Sequence, residues 1–197
     1  MMAPVERSFF SRYDTVQLAQ KLIGMRLVNV TDGGITSGRI VETEAYLKDD
    51  PACHASRGKT LRNSSMFLEA GRAYVYFIYG MYYCFNVVSG EEGIGEAVLV
   101  RALEPEMGIP LMKSRRGTED ESNLTNGPGK ICMALGIDRS LDKHALWEEP
   151  LYIEECDNGV KLDIACSPRI GVRDGKEAKL RFYLKSNGHV SRRSVNE

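Results

Sequence analysis

Arg39-Ile40-Val41-Glu42-Thr43-Glu44-Ala45-Tyr46-Leu47 reads as a β-strand, and the neighbouring segments take their places around it. β-Branched residues cluster at its start, and Gly33-Gly34 and Asp49-Asp50-Pro51 bound it. Side chains alternate between the two faces of a strand, with same-face neighbours roughly 7 Å apart. Strict alternation puts Val41, Thr43, Ala45 and Leu47 on one face, as an ordinary core side. It puts Ile40, Glu42, Glu44 and Tyr46 on the other. Two carboxylates beside a tyrosine are unusual in a strand, where acids are depleted. From this segment alone the ordinary reading is a solvated face with Arg39 as a partner; the alternative is a pair of acids serving a site.

Working outward, Asp14 to Ile23 has helix-like apolar spacing with a polar cap and a closing Gly24. Met25 to Val30 is a short strand, and the turn Thr31-Asp32-Gly33-Gly34 returns the chain into the acidic strand. On the other side, Lys48 to Ser65 is a polar and basic loop. His54 follows Cys53 there, but no second histidine lies at ligand spacing. Tyr74 to Val88 is strongly β in composition and breaks at Gly80, which gives a hairpin with Tyr79-Gly80-Met81 at its tip. Tyr74, Tyr76 and Ile78 share a face. A large aromatic at an exposed tip, Tyr79, is either an interface residue or a wedge. Asn86, amid apolar residues, needs hydrogen-bond partners.

Ala97 to Leu103 is a further strand with Arg101 embedded in it, and a buried arginine must be paired, by Glu104 or by a carboxylate on a neighbouring strand. Gly108 to Arg116 is an amphipathic helix, and Gly117 to Asn123 is a charged segment suited to disorder. Asn126 to Gly136 is a Gly-rich turn opening a helix. It is either a plain cap or an anion site to which Lys130 adds charge; the spacing to Lys130 is not that of a Walker loop. Leu151 to Cys156 and Val160 to Ala165 read as a hairpin closed by Asp157-Asn158-Gly159. Pro168 to Val172 and Leu180 to Leu184 complete the β content.

The 197 residues carry a formal net charge of −1, which by itself indicates no polyanionic partner. The average hides a contrast: Asp142 to Asp163 holds seven acids and two bases, whereas Arg169 to Arg193 holds eight bases and two acids. The second segment, with Arg169 and Arg173 at its start, is either a solvated face or a local positive surface for nucleic acid. Five scattered cysteines without a CxxC pair read as reduced thiols of an intracellular protein. No apolar run approaches membrane-spanning length.

Five segments in this order resemble the alkyladenine (3-methyladenine) DNA glycosylase family: residues 39–46, 52–54, 74–82, 99–105 and 126–132. The likeness runs from about Phe9 to Ser191. It implies an α+β fold: a single mixed domain built on a curved, largely antiparallel β-sheet with flanking helices. It implies hydrolysis of the N-glycosidic bond of damaged purines in double-stranded DNA by a monomer, with no metal or other cofactor and no membrane. By the resemblance, Glu44 activates the attacking water and Arg101 helps hold it. Tyr46 and Tyr76 sandwich the flipped base, His54 forms the pocket wall, and Asn86 crowds the guanine amino group. Tyr79 fills the gap left in the duplex. The charge contrast and the glycine turn, not the resemblance, make Lys130, Arg169 and Arg173 the candidate phosphate contacts. Two rivals differ in chemistry. A bifunctional glycosylase/lyase would use an amine such as Lys48, and a non-catalytic DNA-binding module would release no base.

Overall fold

The computed structural model describes residues 2–156 and 162–191. In chain order the elements are α1 (Arg7–Ser11), α2 (Thr15–Leu22), β1 (Arg26–Thr31), β2 (Gly34–Tyr46), β3 (Ala73–Ile78), β4 (Tyr82–Val88), β5 (Ala97–Met107), α3 (Ile109–Arg116), α4 (Pro128–Leu135), β6 (Leu151–Glu154), β7 (Ile164–Ser167) and β8 (Arg181–Leu184). Every strand pairing is antiparallel. The sheet runs β3-β4-β5-β2-β1-β6, with β8 joining the second half of β2 and β7 outside it. It curls into a half-barrel flanked by the four helices, an α+β fold.

Local chemistry sets the helices. Asp14 and Gln17 form a reciprocal capping box at the start of α2, a device in which the cap residue contributes about 1 kcal/mol. Leu18 and Leu22 of α2 are fully buried against the sheet, each contributing roughly 1.5–3 kcal/mol. Gly108 precedes α3 at φ 73° with no room for a Cβ, which would lie 2.3 Å from the Ile35 carbonyl oxygen.

The sheet separates two apolar clusters. Val75, Phe85, Val87, Val98 and Val100 join the helices in the main core. The opposite face of the same strands carries Tyr74, Tyr76, Cys84 and Leu99 in a smaller cluster. β2 follows this alternation from Glu42 to Tyr46 but departs from it just before. Ile40 pairs with Leu103 and Glu42 with Ala102, so Val41 is an extra residue; Thr43 then pairs with Val100, so Arg101 is an extra residue on β5. These two bulges put consecutive residues, Ile40-Val41 and Ala102-Leu103, into the main core. Ile40 therefore does not share the face of Glu42 and Glu44, as strict alternation requires. A bulge re-aims the side chain it carries, and the one on β5 carries Arg101.

Three further expectations are corrected. The Leu151–Ala165 hairpin does not form: β6 pairs with β1 and β7 with β8; its expected turn, 157–159, lies outside the described residues. Pro168 to Val172 is not a strand but a loop following β7. Glu121–Asn123, within the segment suited to disorder, is a 3-10 turn capped by the Asp120 side chain, which accepts from Ser122 N. Among the described residues no helix is long and apolar enough to cross a membrane.

Candidate active site

Glu42 and Glu44 are both fully buried, which overturns the solvated-face reading. Arg39 is committed instead to Glu104. Burying two carboxylates in one strand requires paired donors, and the fold supplies them chiefly from four residues distant in the chain, Arg101, Ile170, Arg181 and Ser191. Glu44 Oε1 accepts from the Ile170 backbone N–H at 2.8 Å. Its Oε2 accepts from the Tyr46 hydroxyl at 2.9 Å and from Arg101 Nη1 at 3.3 Å. Glu42 Oε1 accepts from Arg181 Nε at 2.6 Å and Ser191 Oγ at 2.8 Å, and its Oε2 from Ser191 N at 2.7 Å. Arg101 spans both acids, with Nε 3.3 Å from Glu42 Oε1. The carboxylate on a neighbouring strand, not Glu104, is thus its partner.

A cavity of about 420 Å³ opens beside this cluster. Tyr46, His54, Tyr74, Tyr76, Asn86 and Arg101 line it, with Tyr79 and the 170–174 loop. Its size and aromatic lining suit a flat ring system. Glu44 itself does not reach the cavity surface; its Oε2 meets the cavity through Tyr46 and Arg101. Burial, then the charge of Glu44, holds the Tyr46 phenol well above the ordinary range, so it stays a donor at neutral pH. Burial likewise raises Tyr74 and Tyr76. His54 Nδ1 lies 2.9 Å from the Tyr74 hydroxyl, and its ring stands edge-on to Tyr76 with centroids 4.6 Å apart. Desolvation, helped by Arg62, holds His54 below its ordinary value. The fold thus favours the neutral imidazole, and its share of stability falls as pH drops below the ordinary histidine value. Asn86 is buried and donates to the Tyr74 carbonyl at 3.0 Å.

The expected phosphate contacts fare differently. Arg173 is exposed at the cavity rim. Lys130 is half-buried, donating to the side-chain oxygens of Asn123 and, at 2.6 Å, Asn126. Arg169 is 5% exposed and does not lie on a basic surface at all. Its guanidinium pairs with Asp50 and donates to the Ala45 carbonyl at 3.0 Å. It also sits over the Tyr46 ring, 4.6 Å from the centroid. Arg169 is a positioning residue that fixes one face of Tyr46. Nothing local in the sequence marks it, because Asp50 is 119 positions away. Asp50→Asn removes its counter-charge; we expect a loss of about 1–3 kcal/mol, the cost of weakening a buried charged hydrogen bond, read by urea denaturation. Wild-type stability in this variant would show that the pair does not hold the ring.

Among the described residues no group of three or more His, Cys, Asp or Glu is placed to hold a metal ion, and all five cysteines are free. Lys48, the amine nearest Glu44 in sequence, is exposed and lies outside the cavity lining.

Residues 8–188 match the family model described as methylpurine-DNA glycosylase. The chain belongs to that family. A relative from Carboxydothermus hydrogenoformans is 48% identical over 95% of this chain and 98% of its own length. One from Methanoculleus marisnigri is 50% identical over 94% and 97%, and one from Salinibacter ruber 44% identical over 96% and 97%. All three carry the name "Putative 3-methyladenine DNA glycosylase".

Proposed function

We propose that this protein is an intracellular, monofunctional glycosylase that extrudes alkylated purines such as 3-methyladenine from duplex DNA and hydrolyses the glycosidic bond. The observation that carries this reading is the buried Glu44 carboxylate, whose Oε2 meets an aromatic cavity through Tyr46 and Arg101. A water held beside Arg101 attacks the sugar C1′. The Tyr46 hydroxyl takes the water's proton as it gives its own to Glu44 Oε2, the C1′–N bond breaks, and its electron pair leaves with the base. A cationic base departs neutral and needs no acid. Tyr46 and Tyr76 hold the base by stacking and favour a positive ring through cation–π attraction. Asn86 stands where an exocyclic amino group of guanine would crowd it, a discrimination by clash rather than by contact. Water rather than an amine is supported by the lining, which contains no lysine among the described residues.

The test is release of free base from alkylated duplex, with a borohydride arm on the product. Release without a trapped covalent adduct is expected. A trapped adduct would overturn the monofunctional reading, and duplex binding with no base released would make the protein a binding module.

Tyr79 tests the extrusion step. It is 83% exposed and sits at φ 55°, followed by Gly80 at φ 70°. Both central residues of a type I′ turn need positive φ, and for an aromatic residue that conformation costs about 1–3 kcal/mol. Strain at an exposed tip serves nothing in the fold. Tyr79→Gly is therefore expected to keep stability within about 1 kcal/mol of wild type while weakening binding to lesion duplex more than to lesion single strand, since only the duplex leaves a gap. Equal losses on both substrates in a binding titration would remove Tyr79 from this role.

A further inference from the structure

Leu61 is 95% exposed, more than any other large apolar residue among the described ones. It does not sit on a slack loop. Asn63, 4% exposed, donates from Nδ2 to the carbonyls of His54 (2.8 Å) and Gly58 (3.0 Å). Its Oδ1 accepts from the backbone N–H of Thr60 at 2.6 Å and from the Thr60 hydroxyl at 3.0 Å. One buried side chain thus pins a short loop by four hydrogen bonds, and the residue this loop holds out to solvent is a leucine. The next residue, Arg62, donates to the Phe77 carbonyl at 3.2 Å, which fastens the loop to the strand leading to Tyr79.

The surroundings say what would cover Leu61. Arg57, Lys59 and Arg62 are exposed around it and, among the described residues, none has a carboxylate partner. No acid occurs between Pro51 and Leu68. Four of the seven exposed large apolar residues among those described, Leu61, Phe77, Tyr79 and Met81, lie in this loop and the adjoining hairpin. Exposed apolar groups on a loop whose cations have no carboxylate partner among the described residues (Lys59 lies over the Phe67 ring, 5.6 Å from its centroid) match a surface that is anionic at its edges and apolar within, which is a nucleic acid duplex opened at one step.

We propose that Leu61 is a second duplex-contacting wedge, packing against the base stack beside the gap that Tyr79 fills, with Arg57 and Lys59 on the flanking phosphates. This rests on the glycosylase reading above and adds a residue to it. The probes are a duplex carrying a tetrahydrofuran abasic analogue and the corresponding single strand, titrated with the full chain. Leu61→Ala is expected to weaken duplex binding about tenfold, the factor for losing roughly half of a leucine's transfer free energy. Single-strand binding is expected to change less than about twofold, with an unaltered Tm because the side chain packs on nothing. Unchanged duplex affinity in Leu61→Ala, with a wild type that prefers the abasic duplex, overturns the role of Leu61 alone. A wild type that binds the abasic duplex no better than the single strand overturns both readings.

Discussion

Glu44→Gln is expected to lower single-turnover base release by about 10²–10⁴-fold, the range for removing a general base, while lesion binding persists. Stacking on the aromatic cavity walls, which would hold the base, does not itself need the Glu44 charge. The amide is nearly isosteric with the carboxylate but cannot satisfy the same partners. Ile170 N–H, the Tyr46 hydroxyl and Arg101 all donate to Glu44, so an NH₂ group on either side meets a donor. That mismatch costs about 1–3 kcal/mol, and thermal melting must accompany the kinetics to separate lost chemistry from lost fold. A folded Glu44→Gln protein that releases base at nearly the wild-type rate would sink the assignment.

Glu42→Ala is expected to cost about 3–5 kcal/mol of stability, the range for removing one partner of a buried ion pair. Glu42 is fully buried and takes hydrogen bonds from Arg181 and Ser191 while pairing with Arg101. Without it, Arg181, 2% exposed, has no other carboxylate partner among the described residues. Arg101, freed on one side, would keep Glu44 as its single carboxylate partner among the described residues and lose the contact that fixes its other edge. Chemical denaturation reads the loss directly, and a change below about 1 kcal/mol, the scale of surface pairs, would mean the network is not built as described. Glu42→Gln is for the same reason no inert comparator for Glu44→Gln: Glu42 is held by Arg181 and Ser191, whereas Glu44 meets the cavity through Tyr46 and Arg101.

What the sequence revealed and what it hid divide along the range of the physics involved. Alternation placed Glu44 with Tyr46, and the Tyr79-Gly80 break placed the hairpin tip, because both depend on neighbours within a few residues. Arg101 was legible as a residue needing a carboxylate, since burial of a guanidinium leaves few options. The bulges at Val41 and Arg101 were not, because register is set by two strands meeting. Asp157-Asn158-Gly159 carries good local turn chemistry, yet the flanking strands take other partners: the edge of β1 receives β6, and β8 receives β7. Arg169 was misplaced on the same ground. Charge counting sees a basic segment, whereas Asp50, Ala45 and Tyr46 draw this one arginine inside.

The separation of Glu44 from its partners along the chain has a consequence for the order in which the protein is made. The strand bearing both acids is complete by residue 46, but Ile170 N–H, Arg181 and Ser191 come at the far end. A chain still attached to the ribosome with its first 160 residues emerged can pair β1, β2, β5 and β6, while Glu42 and Glu44 share a single arginine. The hydrogen bonds that bury Glu42 and Glu44 are therefore complete only after residues 170–191 have docked on the sheet. A nascent chain holds most of its sheet before it holds the far wall of the cavity and the donors that satisfy its two buried acids.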